Sequence, residues 1–254
     1  MTVMKNKNYI QNVMRSMAVI FSMVCLSLVL FVSCDDHEPV DRRIHTGYIL
    51  LSDGSVISDA VFDKSQHVPV AVVFAEKTDD HPVLAVMLDE ISSIQFADTL
   101  SIDQKTSCSI DSCDGYSNTV ALQTSNIKRT VLLDSTNVAN SINYYKSPLG
   151  LAAFHSHWFF QSDFVPSVRE MELLYSQLYR VNPIIEMCGG TPIGTTPDKA
   201  GCWYWTSTEV EENSLNQAWL FSMADGSRHK TPKTNFYRAR LIVDYNPMGA
   251  SINY

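Results

Sequence analysis

Cys202-Trp203-Tyr204-Trp205-Thr206-Ser207-Thr208-Glu209 sets three large aromatic rings beside three small hydroxyl residues. Aromatic and β-branched residues at that density predict a strand. Rings of this size present more apolar surface than one strand can hide, so other segments have to close over Trp203, Tyr204 and Trp205. The end of the string, from Thr206 to Glu209, reads as a hydrogen-bonded strand end leaving the core. A binding edge is the alternative reading.

Towards the C-terminus, residues 218–224, the Asp225-Gly226 turn and the polar residues 227–233 predict a hairpin, and residues 237–245 predict one last strand. Towards the N-terminus, residues 189–201 are rich in Gly, Pro and Thr and form a long loop. A helix precedes that loop. It begins at the capping box Ser167-Val168-Arg169-Glu170, and Met171, Leu174, Tyr175 and Leu178 give it an apolar stripe. A second helix is predicted over residues 137–146, where Val138, Ile142 and Tyr145 share a face, with Ser147-Pro148-Leu149-Gly150 as its stop. Residues 97–118 hold Cys108 and Cys113 among Ser, Asp and Asn, the composition of an irregular loop pinned by a disulfide. Residues 68–75 and 83–88 are almost continuously apolar, the pattern of paired central strands. Residues 48–51 and 56–57 flank Asp53-Gly54, a hairpin signal. The expected fold class is α+β, two helices packed on mostly antiparallel strands and hairpins.

Residues 1–33 differ from the rest: Lys5, Lys7 and Arg15 precede an apolar run from Met17 to Val32. This is the pattern of a signal peptide, and the run falls short of the roughly 20 residues that span a bilayer. Phe31-Val32-Ser33-Cys34 resembles a bacterial lipobox, which makes Cys34 the lipidated residue, carrying palmitate-type chains after cleavage. Asp35-Asp36 resembles the signal that carries lipoproteins of Bacteroides-like bacteria to the outer face of the outer membrane. Residues 34–45 would be the tether, 46–245 the folded domain and 246–254 a tail. Residues 34–254 carry 16 basic and 27 acidic side chains, a net charge of −11, which argues against nucleic acid as a partner. In an oxidising compartment Cys108, Cys113, Cys188 and Cys202 permit three pairings, of which Cys108–Cys113 and Cys188–Cys202 each bracket a loop. Zinc is the weaker alternative, because the spacings lack paired C-x2-C knuckles.

Val165-Pro166-Ser167-x-x-Glu170-Met171-x-x-Leu174-Tyr175, Tyr204-Trp205-Thr206-Ser207-Thr208-Glu209, Ala218-Trp219, Asp225-Gly226, Lys233 and Arg238-x-Arg240 follow in an order that resembles the Fibrobacter succinogenes major paralogous domain family. Ser52-Asp53-Gly54-Ser55, Val70-Ala71-Val72-Val73-Phe74 and residues 114–119 resemble the N-terminal part of related Bacteroides-type lipoproteins of unknown function. The chain departs from the family at Asp163, where an aromatic residue is usual. The resemblance implies a C-type-lectin-like fold, with the long loop and adjacent strands as its variable face. That face would draw on Thr191, Thr195 and Thr196, and on Glu209, Glu212, Asn213, Asn216, Trp219, Lys233, Arg238 and Arg240.

Each chemistry known for that fold has its own signature. A calcium-dependent lectin site needs Glu-Pro-Asn or Gln-Pro-Asp and Trp-Asn-Asp, and neither occurs; Trp219 is followed by Leu220. The formylglycine-generating enzyme uses a cysteine pair late in the domain, whereas Cys188 and Cys202 precede or begin the aromatic strand. His155 and His157 alternate as strand neighbours but have no third ligand nearby in sequence. No Gly-x-Ser-x-Gly elbow supports Ser-His-Asp chemistry. Arg238 and Arg240 would share a solvent-side strand face, with Glu209 as an ion-pair partner, and Trp219 reads first as a core residue. These signs give a lipid-anchored cell-surface binding or adhesion module that is not an enzyme. It needs no cofactor, and its partner is a glycan or protein. The alternatives are a divergent relative of the formylglycine-generating enzyme and a structural subunit of a surface assembly such as a pilus.

Overall fold

A computed structural model describes residues 43–124, 129–130, 141–142, 147–154, 163–197 and 201–245. The signal peptide, Cys34 and most of the tether lie outside these residues, as do the tail, His155 and His157. A compact unit begins at Ile44.

The first sheet has the order β12-β4-β3-β1-β2 and is antiparallel throughout. The Asp53-Gly54 hairpin joins β1 (Ile49–Leu51) to β2 (Val56–Ile57), with Gly54 at φ 86°. A left-handed residue is what this tight turn requires, and glycine adopts it without a Cβ penalty. Strands β3 (Pro69–Ala75) and β4 (Val83–Met87) pair in the centre, as expected. Their unbroken apolar runs follow from burial on both faces. Val72, Phe74, Leu84 and Val86 point into one core cluster, and Ala71, Val73, Val83 and Ala85 into the other.

The second sheet has the order β10-β9-β8-β11-β5. The aromatic string is its central strand β8 (Trp203–Glu209), flanked by β9 (Gln217–Ser222) and, in parallel, by β11 (Phe236–Ala239). The hairpin partner β10 (Arg228–Pro232) forms one edge, and β5 (Ile91–Gln95) the other. A short ribbon pairs β6 (Arg129–Thr130) with β7 (Ser141–Ile142). The helix expected over residues 137–146 therefore fails where it is described, since Ser141 and Ile142 are strand; the rest of it lies outside the described residues.

Among the described residues, four α-helices cover the sheets. Helix α1 (Gly115–Thr124) and α2 (Pro148–Phe154) bring Leu122, Leu149 and Ala153 against Phe96, Trp205 and Leu220. Helix α3 (Val168–Ser176) and α4 (Leu178–Cys188) bring Met171, Leu174, Val181 and Ile185 against Val72, Phe74, Tyr204 and Phe221. The capping box forms as read: Ser167 N–H donates to Glu170 Oε2 at 2.7 Å, and Glu170 N–H to Ser167 Oγ at 3.4 Å. The single helix expected there is divided at Gln177, and α4 carries Pro183 inside it and ends on left-handed Gly189.

Three expectations are corrected by local chemistry. Ser147-Pro148 starts a helix instead of ending one: Gly150 N–H donates to Ser147 Oγ at 3.0 Å, and proline occupies the first helical position, where its missing N–H costs nothing. The last strand is two. β11 belongs to the second sheet and β12 (Ile242–Tyr245) to the first, and the chain crosses between them at Arg240-Leu241. The loop over residues 97–118 gives way to α1 at Gly115, and Asn118 N–H bonds the Asp114 carbonyl at 2.8 Å.

Candidate functional site

The residues expected on one variable face divide into three groups. The first is buried. Glu209 ends β8 and Lys233 follows β10, and both side chains are fully shielded, with Lys233 Nζ bonded to Glu209 Oε1. Strand register brings them together: Glu209 pairs with Ala218 on β9, and Lys233 N–H donates to the Asn216 carbonyl at 2.9 Å. Two charges removed from water need further hydrogen bonds, and the segment after β5 supplies them. Gln104 N–H donates to Glu209 Oε1 at 3.1 Å, Thr106 N–H to Oε2 at 3.1 Å and Thr106 Oγ1 to Oε2 at 2.9 Å. Lys233 Nζ donates to the Ile102 carbonyl at 3.0 Å. Burial pulls the Lys233 pKa below its ordinary value, against the opposing pull of Glu209. Neither Gln104 nor Thr106 is recognisable in the sequence, since each lies more than a hundred residues from Glu209.

The second group surrounds the crossing between the sheets. Arg240 is fully buried, not on a solvent face, and it does not pair with Glu209. Its guanidinium donates to three carbonyls, Met87, Leu88 and Thr191, each at 2.8 Å, and so ties the end of β4 and the loop after α4 to the crossing. A planar fork of donors suits that task. Arg238 pairs with Glu90 at 3.0 Å, and Glu90 also accepts from the Tyr204 hydroxyl at 2.8 Å. Gly194 N–H donates to the same hydroxyl at 2.8 Å, while burial pushes the phenol up to about 12.

The third group is open to solvent. Lys230 lies 5.0 Å over the half-buried Trp219 ring and bonds both Glu212 oxygens at 3.0 Å. Asn213 and Asn216 bond each other at 2.8 Å in the preceding turn. Of the expected face, Glu212, Asn213, Asn216 and Trp219 thus lie together near the surface, and Thr191, Thr195 and Thr196 are exposed in the loop after α4.

The disulfides expected at Cys108–Cys113 and Cys188–Cys202 are not formed; all four residues are free thiols. Cys202 Sγ meets the Ser222 hydroxyl at 3.7 Å, while Cys188 packs in the core at the end of α4, so each has its own contacts. Burial pushes Cys113 and Cys188 up to about 11, which keeps these thiols protonated and poor nucleophiles near neutral pH. Cys113 borders a cleft of about 770 Å³ shared with Asp80, His81, Asp111, Asp114 and Arg169. Beside it, burial raises Glu170 to about 7, against the hydrogen bonds from Ser167 and Gly115 that favour its charged form. Among the described residues, no three His, Cys, Asp or Glu side chains gather as a metal site.

No family model matches this chain, and no curated protein matches it. Its fold is similar to that of a fimbrial protein from Bacteroides ovatus, with a TM-score of 0.53 and 16% identity, over 80% of this chain and 49% of that one. The chain thus spans about half the length of that protein, and the likeness is one of fold, an α+β domain built on two largely antiparallel sheets.

Proposed function

We propose that this chain is a lipid-anchored module of the bacterial outer surface that serves binding or adhesion within a fimbria-type assembly. The observation that carries the reading is the likeness in fold to the Bacteroides ovatus fimbrial protein over 80% of the chain. The lipobox-like ending at Cys34 and the acidic pair Asp35-Asp36 agree with it, because two or three acyl chains hold a protein on a membrane where one is marginal. In this reading residues 46–245 form a C-type-lectin-like domain, and Glu212, Asn213, Asn216 and Trp219 are among its outward residues. A glycan or another surface protein is the partner.

Metabolic labelling with palmitate, protease shaving of intact cells and shearing of surface filaments test the reading together. The wild-type chain should take the label, be cleaved on intact cells and cross-link to filament subunits, and Cys34→Ser should lose all three properties. An unlabelled chain recovered only from the soluble periplasmic fraction would overturn it.

A further inference from the structure

The outer end of β8 is closed by the chain itself. The strap Ser101–Ser107 lies across Glu209, Lys233 and the turn before β9, making the contacts that a bound peptide would make. Ser101 N–H donates to Asn216 Oδ1 at 3.0 Å, and Ile102 N–H to the Leu215 carbonyl at 3.1 Å. The Ile102 carbonyl then takes the Lys233 ammonium, the Gln104 and Thr106 amides both reach the Glu209 carboxylate, and Ser107 N–H ends on Asn118 Oδ1 at 2.6 Å. Lys105, at φ 64°, is what turns the amides on either side of it towards one carboxylate. Backbone amides that converge around a left-handed residue form an anion-binding concavity, and here the anion is the protein's own Glu209.

We propose that this face is a peptide-binding groove, that residues 101–107 are its resident ligand, and that the same segment of a second copy of the chain can take their place. Three observations favour release of the strap without loss of the fold. Its contacts with Glu209, Lys233 and Asn216 are polar, its buried residues Gln104 and Thr106 are themselves polar, Ile102 is half-buried and Leu100 is 41% exposed, so little apolar area is lost on opening. Ser101 and Lys105 are non-glycine residues at positive φ, strain that opening relieves. The Glu209–Lys233 pair stays matched when the strap leaves, and water replaces the lost donors. The groove asks of an incoming segment a carbonyl followed by amides two and four residues on, the second from a residue with a hydroxyl. Residues 102, 104 and 106 carry that pattern. The inference concerns purified protein and does not depend on the surface role proposed above.

Amide hydrogen exchange on the full chain in detergent is the first test. Gln104 and Thr106 should exchange at least roughly a hundred-fold faster than Trp205 and Leu220, because the strap opens without the sheet. Equal protection at all four would overturn the proposal, as it would mean that the strap leaves only on global unfolding. The second test disables the resident strap with Gln104→Pro and Thr106→Pro together and titrates a fluorescent peptide of residues 99–108, with serine for Cys108. The variant should bind this peptide at least about ten-fold more tightly than wild type and more tightly than a scrambled peptide, because its groove is no longer pre-occupied. A variant that keeps β8 protection yet shows no gain would overturn the proposal. Should it fail to fold, the exchange measurement on the native chain decides.

Discussion

Replacing Lys233 with methionine tests the buried ion pair directly. The variant fills the same space without charge and leaves the Glu209 carboxylate shielded from water, still holding the Gln104 and Thr106 amides and the Thr106 hydroxyl. Removing one partner of a buried pair costs about 3–5 kcal/mol, and the three surviving donors place this variant at the lower end, about 3 kcal/mol. Glu209→Met is expected to cost more, about 5 kcal/mol, because it strands the ammonium with the Ile102 carbonyl and the Phe96 ring and also orphans two strap amides. The double variant should cost no more than Glu209→Met alone, since no buried charge is left unmatched. Urea unfolding followed by tryptophan fluorescence reads this as midpoint shifts, and a loss of about 3 kcal/mol moves the midpoint by about 1.5 M at a slope of about 2 kcal/mol/M. A Lys233→Met shift below about 0.5 M, or single losses that simply add in the double variant, would refute this account of the pair.

Glu170 makes stability depend on pH. Its folded value of about 7 lies above the ordinary 4.5, so the folded chain holds the proton more tightly. The contribution is therefore complete below about pH 4.5 and declines as pH rises to about 7, by on the order of 3 kcal/mol. Glu170→Gln should flatten that slope in thermal melts taken between these values, and a slope left unchanged would refute the assignment. Gly115→Ala should cost about 1–3 kcal/mol in urea, because its new methyl would collide with Glu170 Oε2 and stand 2.9 Å from the Val165 carbonyl. Ser167→Ala should cost about 1 kcal/mol as a lost cap, and Leu174→Ala about 2–5 kcal/mol as a core cavity; equal small losses in thermal melts would contradict the packing of α3.

Where a local pattern governs the structure, the sequence was readable. The apolar runs of β3 and β4, the Asp53-Gly54 and Asp225-Gly226 turns, the aromatic strand β8 and the Ser167 capping box all act over a few residues. Helix α1 is not legible in the sequence because Gly115-Tyr116-Ser117-Asn118-Thr119 has no apolar stripe; it is held instead by polar contacts, such as Val165 N–H to Thr119 Oγ1 at 2.9 Å. Ser147-Pro148 is ambiguous as sequence because the same dipeptide serves as a stop after one helix and a start before the next. The candidate face was the least legible part. Arg240 and Glu209 are ordinary surface residues by type, and only carbonyls and amides brought from distant segments make their burial tolerable.

The order of the first sheet also bears on how the molecule comes into being. Its first strand in the chain, β1, and its last, β12, belong to the same sheet, while every strand of the second sheet is interposed between β4 and β12 in sequence. Val83 must wait for Tyr245, the last described residue, before its ladder closes. Non-local closure of this kind slows folding, and a chain still emerging from synthesis or from a translocation channel cannot finish its first sheet. Until β12 arrives, the apolar edge of β4 is an open template, so a chain shortened before Ile242 should aggregate instead of folding into a smaller version of itself.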